Sequence, residues 1–315
     1  MINQNIINEI FYKEYIEKVL GLKSNDLKLA HYTSARVALR LIENKTIWLN
    51  NIQYMNDYSE IKIGNTLLAD YYNSETGNEL KEVIEYINHG TQRNLELNYN
   101  NTFSRLMNTY AFCLTEHSKE ENDYGRLSMW RAYAPNNGVA IVLNTDIFTE
   151  EAFNTRVSTI PMFYLEREEF IDAVSDFTNR LNKYKDDLKY LPNFSDLVLR
   201  KFIITALSMK HKGFQEEREW RVMYNDIFSN INKNDIVTED IEEINGEPRI
   251  IKKLKFSQIR YGNCPFDMNK LIHRIIIGPS NNPEQLRTIF IRVLEKNGVI
   301  EAANKVVCSD IPVRI

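Results

Sequence analysis

The sequence predicts one α+β domain with helical insertions, and three observations lead to this prediction. Strand-like and helix-like segments interleave, but without the regular alternation that predicts a parallel Rossmann-type sheet. The 315 residues are 43% hydrophobic, which is enough to fill a sizeable core. No stretch is rich enough in Pro, Gly or Ser to mark a linker. We therefore expect an N-terminal helix over 1–26 and a single domain over 27–315.

The individual elements follow from the periodicity of the apolar residues. An amphipathic pattern over 5–20 predicts a helix that ends at Gly21. The same period marks the helical insertions expected near 60–109 and 166–212, and Gly213 is predicted to end the second of these. β-branched and aromatic runs predict strands at 27–32, 46–50, 110–115, 139–144, 156–164, 219–224, 250–256 and 273–279. The remaining elements are a hairpin turn at Asn245-Gly246, a helix over 283–297 and a strand over 304–315.

Composition and charge exclude several classes of protein. The formal net charge of −4 argues against nucleic-acid binding by bulk positive charge, although it permits a local basic face. The three cysteines are far apart in sequence and form no Cys/His motif of the kind that binds zinc. The chain has neither a signal-peptide pattern nor an apolar run of roughly 20 residues. We therefore expect a cytoplasmic protein with no metal and no membrane contact.

The common nucleotide and hydrolase motifs are absent from the sequence. There is no GxxxxGK[ST] loop and no GxGxxG, so neither a P-loop nor a Rossmann dinucleotide site is predicted. HExxH and GxSxG are missing as well. Candidate functional residues must therefore come from clusters with other chemistry.

The first such cluster is the run His31, Tyr32, Thr33 and Ser34 at the end of a predicted strand. A strand that turns into a helix here brings an imidazole and two hydroxyls close together. Such groups suit hydrogen bonds to a ribose or an amide. The same pattern is also typical of a core histidine followed by a helix N-cap at Thr33 or Ser34. The local sequence leaves both interpretations open.

The second cluster is the charged segment that ends with Glu217, Arg218, Glu219, Trp220 and Arg221. In an extended segment the two glutamates share one face, where their charges need an arginine, a ligand or water as compensation. The segment is typical of a solvated, charged loop. It equally fits a carboxylate that stabilises an oxocarbenium-like cation during glycosyl transfer.

The third cluster is Met129-Trp130-Arg131-Ala132-Tyr133, which follows an acidic loop. Trp130, Arg131 and Tyr133 are of the types that stack on a planar base or a nicotinamide ring. Such a turn also fills a hydrophobic core.

The fourth cluster is the amide-rich stretch 50–60. Its side chains can hold an irregular loop through Asx-turns, or can line a pocket beside His31, with Asn51 as the candidate. The sequence does not separate these two interpretations.

The four clusters, in this order, resemble a bacterial family catalogued as domain of unknown function 2971. The likeness extends over nearly the whole chain beyond residue 27. The matching segments are 29–34, 47–60, 112–118, 129–144, 214–224, 274–279 and 309–315.

That family is in turn similar to the ADP-ribosyltransferase superfamily, which implies a split, mixed or antiparallel sheet with helical insertions. Members place a histidine of the first core strand against the nicotinamide ribose, and His31 fits this role. They place a catalytic glutamate, often in a Glu-x-Glu pair, at the entrance of a later strand. Glu219 fits that role, and Glu217 would then orient the acceptor. The superfamily's middle motif has no clean match here, with 112–115 or Tyr133 as its possible equivalents.

The resemblance implies NAD as co-substrate. His31, Tyr32, Thr33, Ser34 and Asn51 would then contact it, together with Trp130, Arg131 and Tyr133. The pyrophosphate would be offset by Arg131 or Arg36. The catalytic set would be Glu219, Glu217 and His31.

We therefore expect a mono-ADP-ribosyltransferase, a toxin or anti-phage effector that modifies a nucleic-acid or protein acceptor, with an antitoxin or operon partner. Two alternatives remain. One is an NAD glycohydrolase or nuclease that uses the same cleft. The other is a non-catalytic sensor or binding module of a defence operon.

Overall fold

The computed structural model describes residues 3–55, 58–149, 157–225, 237–244, 246–259 and 267–312. Its helices are α1 (Gln4–Phe11), α2 (Lys13–Ser24), α3 (Ala35–Asn44), α4 (Tyr58–Tyr72), α5 (Glu75–Ile87), α6 (Thr91–Leu106), α7 (Leu127–Tyr133), α8 (Asp146–Thr149), α9 (Arg167–Lys183), α10 (Lys185–Leu188), α11 (Phe194–Ser208), α12 (Phe256–Ile259), α13 (Met268–Leu271), α14 (Pro283–Lys296) and α15 (Ala302–Lys305). Its strands are β1 (Lys28–Ser34), β2 (Thr46–Asn51), β3 (Tyr110–His117), β4 (Gly138–Leu143), β5 (Val157–Pro161), β6 (Glu219–Tyr224), β7 (Val237–Ile244), β8 (Glu247–Lys255), β9 (Ile272–Ile277) and β10 (Val306–Cys308).

The chain forms two compact units, each made of three chain segments. The first, here called the helical unit, comprises Met1–Val19, Ile52–Asn108 and Pro161–Glu216. The second, here called the sheet unit, comprises Leu20–Asn51, Thr109–Ile160 and Glu217–Ile315. The segments predicted as helical insertions lie in the helical unit, apart from residue 109. The α+β class predicted from the sequence is confirmed.

The helical unit has a hydrophobic core of its own, built from α1, α4, α5, α6, α9, α10 and α11. In this core α4 and α11 approach closely at Gly64, where a Cβ atom would lie 2.1 Å from the carbonyl oxygen of Ala206. Glycine is therefore required at this position by the neighbouring backbone. The unit also has a half-buried ionic contact, in which Glu14 accepts from Arg180 at 2.5 Å and from Lys201 at 2.8 Å.

Two predicted helix ends are wrong. α2 continues through Gly21 to Ser24, and a Cβ at Gly21 would meet nothing within 4 Å. One glycine costs a helix only about 1 kcal/mol, which packing of neighbouring residues offsets. α11 ends at Ser208 rather than at Gly213, because the following backbone pairs with Phe163 (Phe163 N to Ser208 O, 2.7 Å; Lys210 N to Phe163 O, 2.9 Å).

The N-terminal and C-terminal elements also differ from the prediction. Two helices, α1 and α2, replace one helix near the N-terminus. The strand predicted over 304–315 shortens to β10, since α15 extends to Lys305 and residues 309–312 are not in a strand. The acidic β7 was not predicted as a strand, because charged residues occupy both of its faces. The turn predicted at Asn245-Gly246 does lie between β7 and β8, with Gly246 at φ +85°; Asn245 is outside the described residues.

The described strands of the sheet unit form one mixed sheet. Its order is β10-β9-β4-β1-β3-β2-β8-β7, and β6 pairs with β3 and β5 outside this path. β9 and β10 are parallel, whereas the pairs formed by β1, β3, β4 and β6 are antiparallel. α7 covers part of one face through Trp130, which packs with Tyr32 and Ala140.

The sheet divides at β3. Thr115 pairs with Ala30 of β1 and also with Glu219 of β6, so β1 and β6 lie on opposite edges of β3. Ala111 pairs with Asn50 of β2 and with β6 in the same way. β1 and β2 therefore share one edge of β3, at its two ends. Between them, residues 112–114 have no ladder partner on that edge among the described strands.

Candidate functional site

The His31 side chain lies where β1 separates from β3. The ladder between these strands ends at Ala30 and Thr115, and the Nδ1 atom of His31 lies 2.8 Å from the Cys113 carbonyl oxygen. Because a carbonyl only accepts, Nδ1 carries the proton of the neutral ring and Nε2 is left as an acceptor. The ring stacks on Phe112 with 4.1 Å between centroids. Where β1 and β3 separate, the imidazole thus replaces the β1 backbone as the partner of the Cys113 carbonyl in β3.

Burial lowers the pKa of His31 to about 4, against an ordinary value of 6.5. The unfolded chain takes up this proton near pH 6.5 and the folded chain does not. Stability from this group is therefore complete above 6.5 and falls as the pH drops towards 4, by up to about 1.4 kcal/mol per pH unit. The free energy of unfolding is measured by urea titration at pH values from 7 to 4. We expect its decrease with falling pH to be shallower in His31→Gln, by up to the contribution of one bound proton.

His89→Gln is the control for this pH series, because the His89 side chain is 98% exposed. Burial also lowers the pKa of His117 and His273, so part of the acid sensitivity is expected to persist in His31→Gln. An identical slope in His31→Gln and the wild type would contradict the prediction.

The register places His31 and Glu219 on opposite faces of the sheet. Thr115 faces both Ala30 and Glu219, so these three side chains share a face. His31 follows Ala30 directly and points to the other face, as does Phe112, on which it stacks. The structure therefore does not bring together His31 and Glu219, which were predicted to act in one site.

Glu219 is held by Arg221 on the same strand. The guanidinium donates from Nε to Oε1 at 2.7 Å and from a terminal nitrogen to Oε2 at 2.9 Å. Both side chains are only 6% exposed. This two-point ion pair compensates the buried carboxylate within the protein.

Glu217 lies in a different backbone conformation from Glu219. It ends a 3-10 turn (Lys212–Glu217), and Arg218 has φ +46°, in the left-handed region that is costly for a side chain of this size. Glu217 and Glu219 therefore do not belong to one extended segment, which was the condition under which their spacing predicts a shared face. The Glu217 carboxylate accepts from the Tyr133 hydroxyl at 2.7 Å. Tyr133 and Glu217 thus form a hydrogen-bonded pair of predicted site residues.

Arg126 organises the same side of the sheet and was not among the predicted residues. Its guanidinium donates to Glu121 at 2.7 Å, to the Thr115 hydroxyl at 2.9 Å and to the Glu116 carbonyl at 2.6 Å. The Arg218 guanidinium also donates to Glu121, at 2.8 Å. Arg126 lies in a polar loop without periodicity, so its burial leaves no signal in the sequence.

Tyr32 and Trp130 take part in the packing of α7. Their rings meet edge to face at 4.7 Å, and the Trp130 indole donates to the Tyr124 carbonyl at 2.8 Å. The Tyr32 hydroxyl accepts from the backbone amide of Arg126 at 2.9 Å. These contacts correspond to the core-packing alternative. Arg131, on the same helix, is exposed.

The other predicted contact residues lie in β1, α3 and β2. Ser34 is the N-cap of α3 and accepts from the Val37 amide at 3.4 Å, as the alternative interpretation expected. Thr33 is half-buried in β1. Asn51 is buried at the end of β2, and Arg36 is paired with Glu243 at 2.9 Å.

Two general findings concern ligands and membranes. Within the described ranges, no group of three or more His, Cys, Asp or Glu side chains is placed to hold a metal ion. None of the helices described is long and apolar enough to cross a membrane.

The fold and the site define an α+β protein with a divided mixed sheet and a tyrosine-positioned glutamate at the start of β6. Residues 129–222 match the family model described as "Protein of unknown function (DUF2971)". The match runs from α7 to β6 and includes both Tyr133 and Glu217. Searches of curated proteins and of solved structures find no match.

Proposed function

We propose that this chain transfers ADP-ribose from NAD, with Glu217 rather than Glu219 as the carboxylate that contacts the nicotinamide ribose. Departure of nicotinamide leaves an oxocarbenium-like centre, and a carboxylate aimed at it lowers the barrier. Such a carboxylate must reach the ligand. Glu219 is enclosed with Arg221, whereas Glu217 is half-buried and presented by Tyr133. The hydrogen bond between Tyr133 and Glu217 is the observation that carries this proposal.

The surroundings of Glu217 support an anionic ligand such as a dinucleotide. The Arg218 side chain is 37% exposed and lies beside Glu217, and Arg131 is exposed on the helix that carries Tyr133. Guanidinium groups bind pyrophosphate oxygens in pairs. In this proposal His31 stabilises the divided sheet and does not contact the ligand, since its ring lies on the face opposite Glu219.

The test is mass spectrometry of NAD+ incubated with purified protein and a bacterial lysate as the source of acceptor. We expect nicotinamide release by the wild type, a loss of about 10²-fold in Glu217→Gln and about 10-fold in Tyr133→Phe. Glu295→Gln, which alters an exposed glutamate on α14, is the matched control and should retain full activity. Urea denaturation of each variant separates loss of activity from loss of folding.

Each other outcome contradicts part of the proposal. Loss of activity in Glu219→Gln with full activity in Glu217→Gln would show that Glu219 is the carboxylate that contacts the nicotinamide ribose. Free ADP-ribose without any modified acceptor would indicate a glycohydrolase. No nicotinamide release at all would overturn the enzymatic proposal.

A non-catalytic binding module is the second candidate. The internal compensation of Glu219 by Arg221, and of Arg126 by Glu121, favours it, because these charges are satisfied without a ligand. Binding of NAD measured by calorimetry without nicotinamide release would support this candidate.

A further inference from the structure

The backbone carbonyl of Glu217 is held by two side chains of the sheet unit. It accepts from the Thr115 hydroxyl and from a terminal nitrogen of Arg126, the latter at 3.4 Å. The same Arg126 nitrogen donates to the Thr115 hydroxyl at 2.9 Å, so the three groups form a closed triangle of contacts. The residue whose carboxylate meets Tyr133 is therefore also fixed through its main chain.

Arg126 links this triangle to the end of β3 and to the loop that follows it. Its second terminal nitrogen donates to the Glu116 carbonyl at 2.6 Å, and its Nε donates to Glu121 at 2.7 Å. The Arg126 side chain is only 10% exposed. A guanidinium can serve these acceptors together because its donors form a planar fork, whereas an ammonium has a single donor atom.

The backbone directly after Glu217 depends on the same contacts. Arg218 has φ +46°, a left-handed conformation that is costly for a residue with a side chain. Its carbonyl accepts from the Glu116 amide at 3.0 Å, and its guanidinium donates to Glu121 at 2.8 Å. Since Arg126 binds both Glu116 and Glu121, it holds both partners of Arg218 in place. Strained backbone persists only where its surroundings fix it in this way.

We infer that Arg126 is a positioning residue, whose guanidinium fixes the turn at 217–218 and thereby directs the Glu217 carboxylate to the Tyr133 hydroxyl. The inference rests on the proposed function, in which this carboxylate contacts the nicotinamide ribose. Arg126 acts through Glu217, since its side chain is largely buried and its donors serve protein acceptors. A carboxylate displaced by about 1 Å loses much of its effect on a transition state, so loss of Arg126 lowers turnover more than affinity.

The first test measures the kinetics of nicotinamide release in Arg126→Lys. Lysine keeps the positive charge beside Glu121 but cannot serve all acceptors of the guanidinium together. We expect kcat to fall about 10-fold while KM for NAD changes by less than about 2-fold, because alignment and not binding is lost. Unchanged kcat, with or without a higher KM, would overturn the inference. Arg292→Lys, which alters an exposed arginine of α14, is the matched control and should retain full activity.

The second test does not depend on turnover. In protein with ¹³C-labelled tyrosine, the Cζ resonance of Tyr133 reports the hydrogen bond of its hydroxyl. The resonance is assigned by its absence in Tyr133→Phe, and Glu217→Ala gives its position when the bond to Glu217 is broken. We expect Arg126→Lys to shift the resonance towards that position and Arg292→Lys to leave it unchanged. An unshifted resonance in Arg126→Lys would overturn the inference.

Thr115→Val is the second variant, and it decides the matter if Arg126→Lys does not fold. Valine keeps the shape of the side chain and removes the hydroxyl that bonds to the Glu217 carbonyl. We expect a loss of about 3-fold in kcat and a smaller shift of the Tyr133 resonance in the same direction. An unshifted resonance would then overturn the inference. Absence of nicotinamide release by the wild type would contradict the proposed function, whereas the Tyr133 resonance decides separately whether Arg126 positions Glu217.

Discussion

Replacing Arg221 with methionine is expected to destabilise the protein by about 3–5 kcal/mol, as measured by urea denaturation at pH 7. The substitution removes two strong donors to the Glu219 carboxylate, which is only 6% exposed, and places an apolar side chain beside it. Glu219→Gln combined with Arg221→Met is expected to recover much of the loss, because it removes the buried charge that Arg221 no longer balances.

The hairpin of β7 and β8 supplies a matched control for this experiment. Arg249 and Glu247 have the same spacing of two residues and a contact of 2.9 Å, but their side chains are 29% and 70% exposed. We expect Arg249→Met to cost less than about 1 kcal/mol. A loss of similar size at both sites would contradict the view that burial decides the strength of the Glu219 pair.

The second large effect is expected at Gly64, where alanine should destabilise the protein by about 3 kcal/mol. Alanine gains about 1 kcal/mol of helix propensity over glycine, but its Cβ would lie 2.1 Å from the carbonyl oxygen and 2.9 Å from the carbonyl carbon of Ala206. Both atoms belong to backbone, so α4 and α11 would have to separate. The midpoint of thermal or urea unfolding measures the loss.

Gly21→Ala is the control for Gly64→Ala. Gly21 also lies inside a helix, and a Cβ there would have open space around it. Here only propensity acts, so we expect a gain of up to about 1 kcal/mol. Stabilisation by both substitutions would show that α4 and α11 separate readily.

Local periodicity predicted the elements well where one face is buried. α14 (Pro283–Lys296) has nearly the predicted bounds, and its buried residues Phe290 and Leu294 lie four positions apart, as the period of a helix requires. β7 was missed because its exposed faces carry charges where a strand normally shows alternation. Gly21 and Gly213 were assigned as helix ends on residue type, whereas packing and the bridge to Phe163 decided the outcome.

The sequence predicted which residues belong to the candidate site better than it predicted how they are arranged. Tyr133 and Glu217 were both predicted as site residues. Their contact depends on the 3-10 turn and on the positive φ of Arg218, and neither can be predicted from the residue types. The opposite faces of His31 and Glu219 follow from strand register, which is set by pairings between distant segments. Arg126 lies in a loop without a periodic pattern, so only the fold brings its side chain to Thr115 and Glu121.

The interleaving of the two units has a consequence for synthesis on the ribosome. The chain passes from one unit to the other five times, and the helical unit is complete only when Glu216 has been made. β3 must then await β6, β2 must await β8 and β4 must await β9 before their remaining edges are paired, and all three partners are synthesised later. Unpaired edges of this kind invite aggregation in the nascent chain, so late folding and recourse to chaperones are built into this order of segments.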